Sequence, residues 1–212
     1  MMKEYRYLTE LLERYPVLQT EEDSIRSVYE MIKDCYEAGG KLLIAGNGGS
    51  CADSEHMVGE LMKGFVKKRP VPDALRAALV GEDTEAGSAL ADCLQQGLPA
   101  IALTGHGGLT TAFINDVNGH MVFAQQVLGY GRPGDVFLGI STSGNSENVR
   151  LAAITSKALG LKVAGLLGRD GGKIRGLCDE AIVVPEQETF KIQELHLPVY
   201  HVLCLMLEEY FF

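Results

Sequence analysis

The sequence has 212 residues, a length that fits one domain better than two. Its 46% of hydrophobic and 22% of charged residues match an ordinary globular protein and exclude a disordered or collagen-like chain. The 28 acidic residues outnumber the 19 basic ones, giving a net charge of −9. This charge argues against a protein that binds nucleic acid or anionic membranes broadly.

The N-terminal residues are charged throughout and lack the apolar core of a signal peptide. No apolar run reaches the length of about 18 residues that a membrane-spanning helix needs. The 5 cysteines form no CxxC pair, which is typical of incidental thiols in a reducing compartment. We therefore expect a cytoplasmic protein without a nucleic-acid or membrane partner.

Short apolar runs predict the strands of a parallel sheet. They do not alternate apolar and polar residues, a pattern typical of strands covered on both faces. Most of them run directly into turns rich in glycine or serine. The runs lie at residues 41–45, 99–103, 135–140, 161–167 and 181–184.

Helical patterns separate these runs, which makes the chain α/β. In such folds ligands bind at the carboxyl ends of the strands, so we expect the glycine- and serine-rich turns to converge on one site. Helices are predicted over residues 3–15, 21–38, 50 to about 65, 145–159 and from about 189 to the C-terminus.

The turn from Ser141 to Ser146 follows a predicted strand and opens a predicted helix. Unpaired backbone N–H groups and the helix dipole favour an anion at such a position, and the hydroxyl groups add neutral donors. These features predict a phosphate site, with an N-capping turn as the alternative. The turn from Gly46 to Ser50 lets a backbone approach a ligand closely, but it lacks both the Rossmann spacing and the Walker lysine.

Two further pairs of polar residues lie on predicted helices. His56 and Glu60 are one turn apart on one face, a spacing that suits zinc ligands as well as an ordinary surface pair. Gln193 and His201 are about two turns apart in a helix that is otherwise apolar. Surface polar groups with a satisfied core histidine are the alternative for this second pair.

Taken together and in order, these residues resemble the sugar-isomerase (SIS) domain family, and within it the phosphoheptose isomerase branch. The resemblance extends over nearly the whole chain as a single domain with N-terminal helices. It implies a three-layer αβα sandwich around a five-stranded parallel sheet of the flavodoxin-like type. It further implies a homotetramer with sites built at subunit boundaries.

The resemblance also implies roles for individual residues. Glu60 matches the catalytic base and His201 the catalytic acid. His56, Glu60, Gln193 and His201 match the positions that hold one zinc ion per subunit in some members. The matches to substrate-binding positions are Asn47, Gly48, Gly49, Ser50, Asn115, Asp116, Ser141, Thr142, Ser143, Ser146 and Gln193.

The resemblance implies an aldose–ketose isomerase that acts on sedoheptulose 7-phosphate and forms D-glycero-D-manno-heptose 7-phosphate, and the chemistry of these residue types agrees with an isomerisation of this kind. Such a reaction moves a proton between C1 and C2 through an enediol, which requires a base near carbon and an acid near the carbonyl oxygen. Two alternatives stay open. The chain could isomerise another sugar phosphate, or it could bind a phosphosugar or a protein without catalysis.

The chain departs from the usual family pattern by an insertion at about residues 71–97, which contains two helical patterns. Because so short a segment seldom folds alone, its apolar residues are expected to lie against the main domain or a neighbouring subunit. We expect the insertion to lie beside the mouth of the site. These apolar residues are Leu75, Leu79, Val80, Leu90 and Leu94.

Overall fold

A five-stranded sheet, parallel throughout, forms the centre of the protein in the computed structural model, which describes residues 3–212. The strand order is β2-β1-β3-β4-β5, which is the flavodoxin-like order. The predicted parallel sheet is confirmed, with strand ends shifted by a residue or two. The strands are β1 (Leu42–Ala45), β2 (Ala100–Ala102), β3 (Val136–Ser141), β4 (Lys162–Leu167) and β5 (Glu180–Val183).

Helices connect the strands and cover both faces of the sheet. Within residues 3–212 there are ten α-helices and two short 3₁₀ helices, at Pro16–Glu21 and Gly119–Met121. The α-helices are α1 (Tyr5–Arg14), α2 (Glu22–Glu37), α3 (Gly49–Met62), α4 (Asp73–Glu82), α5 (Thr84–Cys93), α6 (Gly107–Asp116), α7 (Val122–Tyr130), α8 (Glu147–Ala158), α9 (Gly172–Arg175) and α10 (Thr189–Phe211).

Alternate residues of each strand enter two separate hydrophobic cores, because successive side chains of a strand point to opposite faces. In β1, Leu42 and Ile44 pack with α1, α2, α3 and α10. Leu43 and Ala45 of the same strand pack with α7, α8 and α9 on the other face. This arrangement gives the three layers and confirms the predicted αβα sandwich.

The carboxyl ends of β1 and β3 lie side by side in the middle of the sheet. Ile44 pairs with Leu138 and Ala45 with Gly139 in parallel register. The chain continues to β2 on one side of this pair and to β4 on the other, so the strand order reverses here. Ligand sites of doubly wound folds form at such a reversal.

The inserted segment forms a helical hairpin from α4 and α5. An antiparallel bridge between Pro70 and Gln95 closes the root of the hairpin, and Arg76 and Asp92 form an ion pair of 2.7 Å across it. No residue of α4 is buried, and Leu90 is 46% exposed. Three of the five apolar residues are therefore nearly half exposed and do not pack fully against the main domain, while their contact with a neighbouring subunit stays a prediction; they are Leu75, Leu90 and Leu94.

None of the helices within residues 3–212 combines the length and apolar character that crossing a bilayer requires.

Candidate functional site

The glycine-rich turn after β1 and the serine-rich turn after β3 are joined by a reciprocal pair of amide hydrogen bonds. The Asn47 side chain donates to Oδ1 of Asn148 at 2.9 Å, and the Asn148 side chain donates to Oδ1 of Asn47 at 2.9 Å. The two turns that the sequence predicts to converge therefore lie together at the carboxyl edge of the sheet.

Two glycines shape the turn after β1 for specific reasons. Gly48 has a φ of 56°, a conformation that L side chains rarely adopt, and it stands immediately before the first residue of α3. A Cβ atom on Gly49 would lie 2.4 Å from Nε2 of Gln193. Gly49 is thus required for the Gln193 amide of α10 to reach this turn, while Ser50 is buried beneath it.

The serine turn presents the start of α8. Oγ of Ser141 lies 3.0 Å from Oγ of Ser146, so the Ser146 hydroxyl contacts Ser141 instead of capping the helix. Thr142 and Ser143 lie half-buried in the turn itself. The N–H group of Val149 bonds to Oδ1 of Asn148 at 3.0 Å, while the two N–H groups before it in α8 have no partner within residues 3–212 and are left to bind a ligand. The helix dipole makes that position favourable for an anion.

The turn that follows β4 packs against the serine turn. Gly144 has a φ of 64°, and a Cβ atom there would lie only 1.9 Å from the carbonyl oxygen of Gly171. The Asn145 amide donates to the Ser143 carbonyl at 2.8 Å. Its Oδ1 accepts from the Lys173 N–H at 3.2 Å. The turn after β4 therefore fixes the shape of the serine turn.

His56, Glu60 and His201 form one polar cluster, which we call the α3–α10 cluster. Nε2 of His56 lies 3.2 Å from Oε1 of Glu60, and the His56 and His201 rings meet edge to face with centroids 5.0 Å apart. Nζ of Lys63 lies 3.0 Å from Oε2 of Glu60. The Tyr200 hydroxyl holds the His56 ring from the other side, 2.9 Å from Nδ1.

Burial controls the electrostatics of this cluster. It lowers the pKa of His201, and His56 lowers it further against an opposing effect of Glu60. Nε2 of His201 is buried and has no hydrogen-bond partner within residues 3–212. Burial also raises the pKa of Asp53, against smaller opposing effects of Tyr200 and His56. A cavity of about 430 Å³ borders His201.

The structure does not arrange the four predicted zinc ligands as a metal site. Gln193 lies against Gly49, and the backbone of His56 is seven residues further along α3, about 10 Å at the rise of an α-helix. Within residues 3–212, no group of three or more His, Cys, Asp and Glu side chains is arranged to hold a metal ion. As placed, the four side chains do not fit a zinc site.

Asn115 and Asp116 lie on α6, which follows β2, and contact each other. Both are exposed at the last turn of α6, where the Asn115 amide donates to Oδ1 of Asp116 at 2.7 Å. Neither makes a hydrogen bond to the glycine or serine turn in the part of the chain that the structure describes.

Sequence reasoning missed several residues that shape the site. Asn148 stands two residues after Ser146, and its asparagine side chain at a helix start is the signal that could have found it. Asp53 lies three residues before His56, close to one helical turn, and Tyr200 directly precedes His201. Both therefore stand next to residues that the sequence had already singled out as site residues. Lys63 lies one helical turn after Glu60, a spacing that allows an ion pair.

Comparison with known proteins gives consistent matches. Residues 5–92 and 82–168 match the SIS domain family. A phosphoheptose isomerase of Nitratiruptor sp. is 40% identical over 206 residues, which cover 95% of this chain and 96% of that protein. One from Clostridium acetobutylicum is 36% identical over 190 residues, covering 90% of this chain and 84% of that protein.

Solved structures give the same result. The phosphoheptose isomerase of Neisseria gonorrhoeae superposes with a TM-score of 0.72 at 32% identity, covering 97% of this chain and 93% of that one. The phosphoheptose isomerase of Francisella tularensis gives a TM-score of 0.75 at 29% identity, with coverage of 95% and 94%.

Proposed function

Because the chain belongs to the SIS domain family, we propose that it is a sugar-phosphate isomerase that converts sedoheptulose 7-phosphate to D-glycero-D-manno-heptose 7-phosphate. Its relatives in that family are named for this class of reaction. The observation in the structure that carries the proposal is the pairing of an anion-binding edge with a half-buried acid–base cluster on α3 and α10.

The phosphate is assigned to the serine turn. Ser141, Thr142, Ser143 and Ser146 surround the start of α8, where free N–H groups and hydroxyl donors can hold a dianion without a lysine. This contact lies away from the reacting carbons, so its binding energy serves to orient the substrate. The glycine turn, with Asn47 held by Asn148, forms the neighbouring wall.

Proton transfer is assigned to the α3–α10 cluster. Glu60 serves as the base that takes a proton from C1 or C2, and its carboxylate is oriented by His56 and Lys63. The lowered pKa of His201 leaves a neutral imidazole near pH 7, which can donate a hydrogen bond to the carbonyl oxygen of the substrate. Removal of the C1 proton leaves an enediolate whose O2 accepts the hydrogen bond from His201. His201 then gives its proton to O2 and takes the hydroxyl proton of O1, and protonated Glu60 returns the carbon proton to C2, which yields the aldose.

Zinc and tetramer formation stay predictions from the family resemblance. None of the steps assigned above uses a metal ion. Metal analysis of the protein purified without chelator tests the first prediction; zinc bound at one ion per subunit would require His56, Glu60, Gln193 and His201 to move from the positions described above. Light scattering tests the second, with the mass of four chains expected.

The deciding experiment is an assay with sedoheptulose 7-phosphate, in which the aldose product is consumed by a coupling enzyme. We expect turnover by the wild-type chain, and loss of turnover with retained substrate binding in the Glu60→Gln variant. Binding of the sugar phosphate without turnover by the wild-type chain would instead favour a phosphosugar-binding module.

A further inference from the structure

A buried ion pair lies at the far end of the two helices that carry the acid–base cluster. Arg69 follows α3 in the chain, and Glu208 belongs to the last turns of α10. Both side chains are 0% exposed, and Nη2 and Nε of Arg69 each lie 2.8 Å from Oε1 of Glu208. The function proposed above makes no use of this pair.

The Arg69 guanidinium binds the end of α3. It donates from Nη1 to the Leu61 carbonyl at 2.8 Å and from Nη2 to the Glu60 carbonyl at 3.3 Å. The helix ends at Met62 and Lys63 is extended, so these carbonyls have lost their partners in the next turn. The guanidinium therefore fixes the helical turn that carries the Glu60 side chain.

The Glu208 carboxylate binds the chain segment that leaves α3. It accepts hydrogen bonds from the backbone N–H groups of Phe65, Val66 and Lys67 at 2.8, 2.9 and 3.1 Å. Burial by itself would raise the pKa of Glu208, but these N–H donors together with Arg69 outweigh it and lower the pKa. The carboxylate thus stays charged in the protein interior.

The same pair connects to His201 along α10. Glu208 lies seven residues after His201, which places both on one face of the helix about two turns apart. The Phe65 ring, whose N–H is bound by Glu208, packs against the His201 ring with centroids 5.4 Å apart. The ion pair consequently ties the end of one catalytic helix to the other.

We propose that Arg69 and Glu208 are positioning residues, which hold the Glu60 carboxylate at a fixed place relative to the His201 ring. This inference rests on the roles proposed for Glu60 and His201, and neither member of the ion pair touches the reacting atoms. A buried ion pair can often be replaced by apolar side chains of similar volume without loss of stability. Apolar side chains cannot, however, make the directional hydrogen bonds by which the Arg69 guanidinium and the Glu208 carboxylate hold the backbone.

The test is the double variant Arg69→Met/Glu208→Leu, which removes both charges together. The matched control is Asp135→Asn. Asp135 is another buried acid that accepts backbone N–H bonds, from Lys41 and Arg132, but it lies at the amino ends of β1 and β3. Thermal unfolding followed by circular dichroism establishes that both variants fold.

We expect kcat of the double variant to fall by about 100-fold, because displacements near 1 Å have effects of that size. KM should stay within about threefold, because the serine turn that holds the phosphate lies at the other end of α3. The control variant should keep the wild-type kcat. A folded double variant with the wild-type kcat would overturn the proposal.

Crystal structures of the wild-type and double-variant chains give a readout that needs no turnover. We expect the distance between the Glu60 carboxylate and the His201 ring to change by about 1 Å or more. An unchanged distance would overturn the positioning role. A wild-type chain inactive on sedoheptulose 7-phosphate would contradict the proposed function instead.

If the double variant does not fold, kcat and the distance between Glu60 and His201 are measured on the Arg69→Lys variant instead. It keeps the charge opposite Glu208 but loses the forked contact to the carbonyls of Glu60 and Leu61. We expect a smaller loss of kcat in the same direction. Wild-type kcat together with wild-type geometry in this variant would overturn the proposal.

Discussion

The α3–α10 helix pair and the α4–α5 hairpin, which follows α3 in the chain, are held in opposite ways. Within residues 3–212, α10 buries ten of its 23 residues and α4 buries none. The helix pair packs into the core on one face of the sheet. The hairpin is held by its own contacts and by the bridge between Pro70 and Gln95 at its root.

This difference shows where the chain can fix the distance between two reacting groups. Side chains on helices that are buried along their length have few alternative positions. A hairpin attached at its root can shift without disturbing the sheet. The acid–base chemistry is therefore assigned to the first region, and changes in the second should be tolerated by the fold.

The largest expected effect is on catalysis in the helix pair. Glu60→Gln keeps the shape of the side chain but removes the base, so kcat should fall by about 10²–10⁴-fold. Steady-state kinetics with sedoheptulose 7-phosphate measures this loss, and calorimetry should show retained binding. The exposed Glu82→Gln on α4 is the control. Equal kcat values for the two variants would remove Glu60 from the mechanism.

The next largest effect is on the stability that the α3–α10 helix pair gives to the fold. Leu203 of α10 is 0% exposed, whereas Leu90 of α5 is 46% exposed. Leu203→Ala should lower the free energy of unfolding by about 2–5 kcal/mol, because it leaves a cavity in the core. Leu90→Ala should change it by no more than about 0.5 kcal/mol. Urea titrations compare the two, and similar losses would contradict the contrast between the regions.

A pH-dependent effect follows from His196 on α10. Burial lowers the pKa of this residue to about 4 from its usual 6.5, and its Nε2 lies 3.1 Å from the Leu167 carbonyl oxygen. Above the usual pKa the ring is neutral in both the folded and the unfolded state. As the pH falls toward 4, the unfolded chain binds a proton that the folded protein does not.

The free energy of unfolding should therefore decrease by up to about 3 kcal/mol between pH 6.5 and 4 on account of this residue. Urea titrations across this range measure the slope. His196→Gln should flatten it, whereas the exposed His120→Gln should leave it close to that of the wild type. An identical slope in all three proteins would show that His196 has an ordinary pKa.

A smaller effect is expected on binding at the serine turn. Ser143→Ala/Ser146→Ala removes two hydroxyl donors but leaves the N–H groups of α8, so affinity for the sugar phosphate should fall by about 10- to 100-fold. Calorimetry measures the affinity. Ser88→Ala on the hairpin is the control, since its hydroxyl bonds only within α5. Unchanged affinity in the double variant would move the phosphate away from this turn.

The smallest effect on stability should come from the hairpin itself. Replacing residues 73–93 with a short Gly/Ser linker leaves the root near Pro70 and Gln95 in place, so the free energy of unfolding should change by about 1 kcal/mol or less. Any change in activity should appear in substrate preference. Loss of cooperative unfolding would mean that the hairpin belongs to the core after all.

The sequence predicted the sheet well because buried parallel strands are continuous apolar runs, as at Leu42–Ala45. It did not predict α6 or α7. The first begins with Gly107 and Gly108 and continues with Thr110 and Thr111, all poor helix formers. These residues form a helix because the connection between β2 and β3 packs against the sheet, and this tertiary context overrides their low intrinsic helix propensity.

The sequence by itself also determined which polar groups the glycine-rich and serine-rich turns carry, and that His56 lies close to Glu60. Both depend on neighbouring residues within one element, where backbone geometry fixes which side chains meet.

The tertiary structure alone decided which distant residues meet. It placed Gln193 against Gly49, and it brought Arg69 to Glu208. Such contacts join segments far apart in the chain. They depend on how whole helices pack on the sheet, which no local pattern of residues specifies.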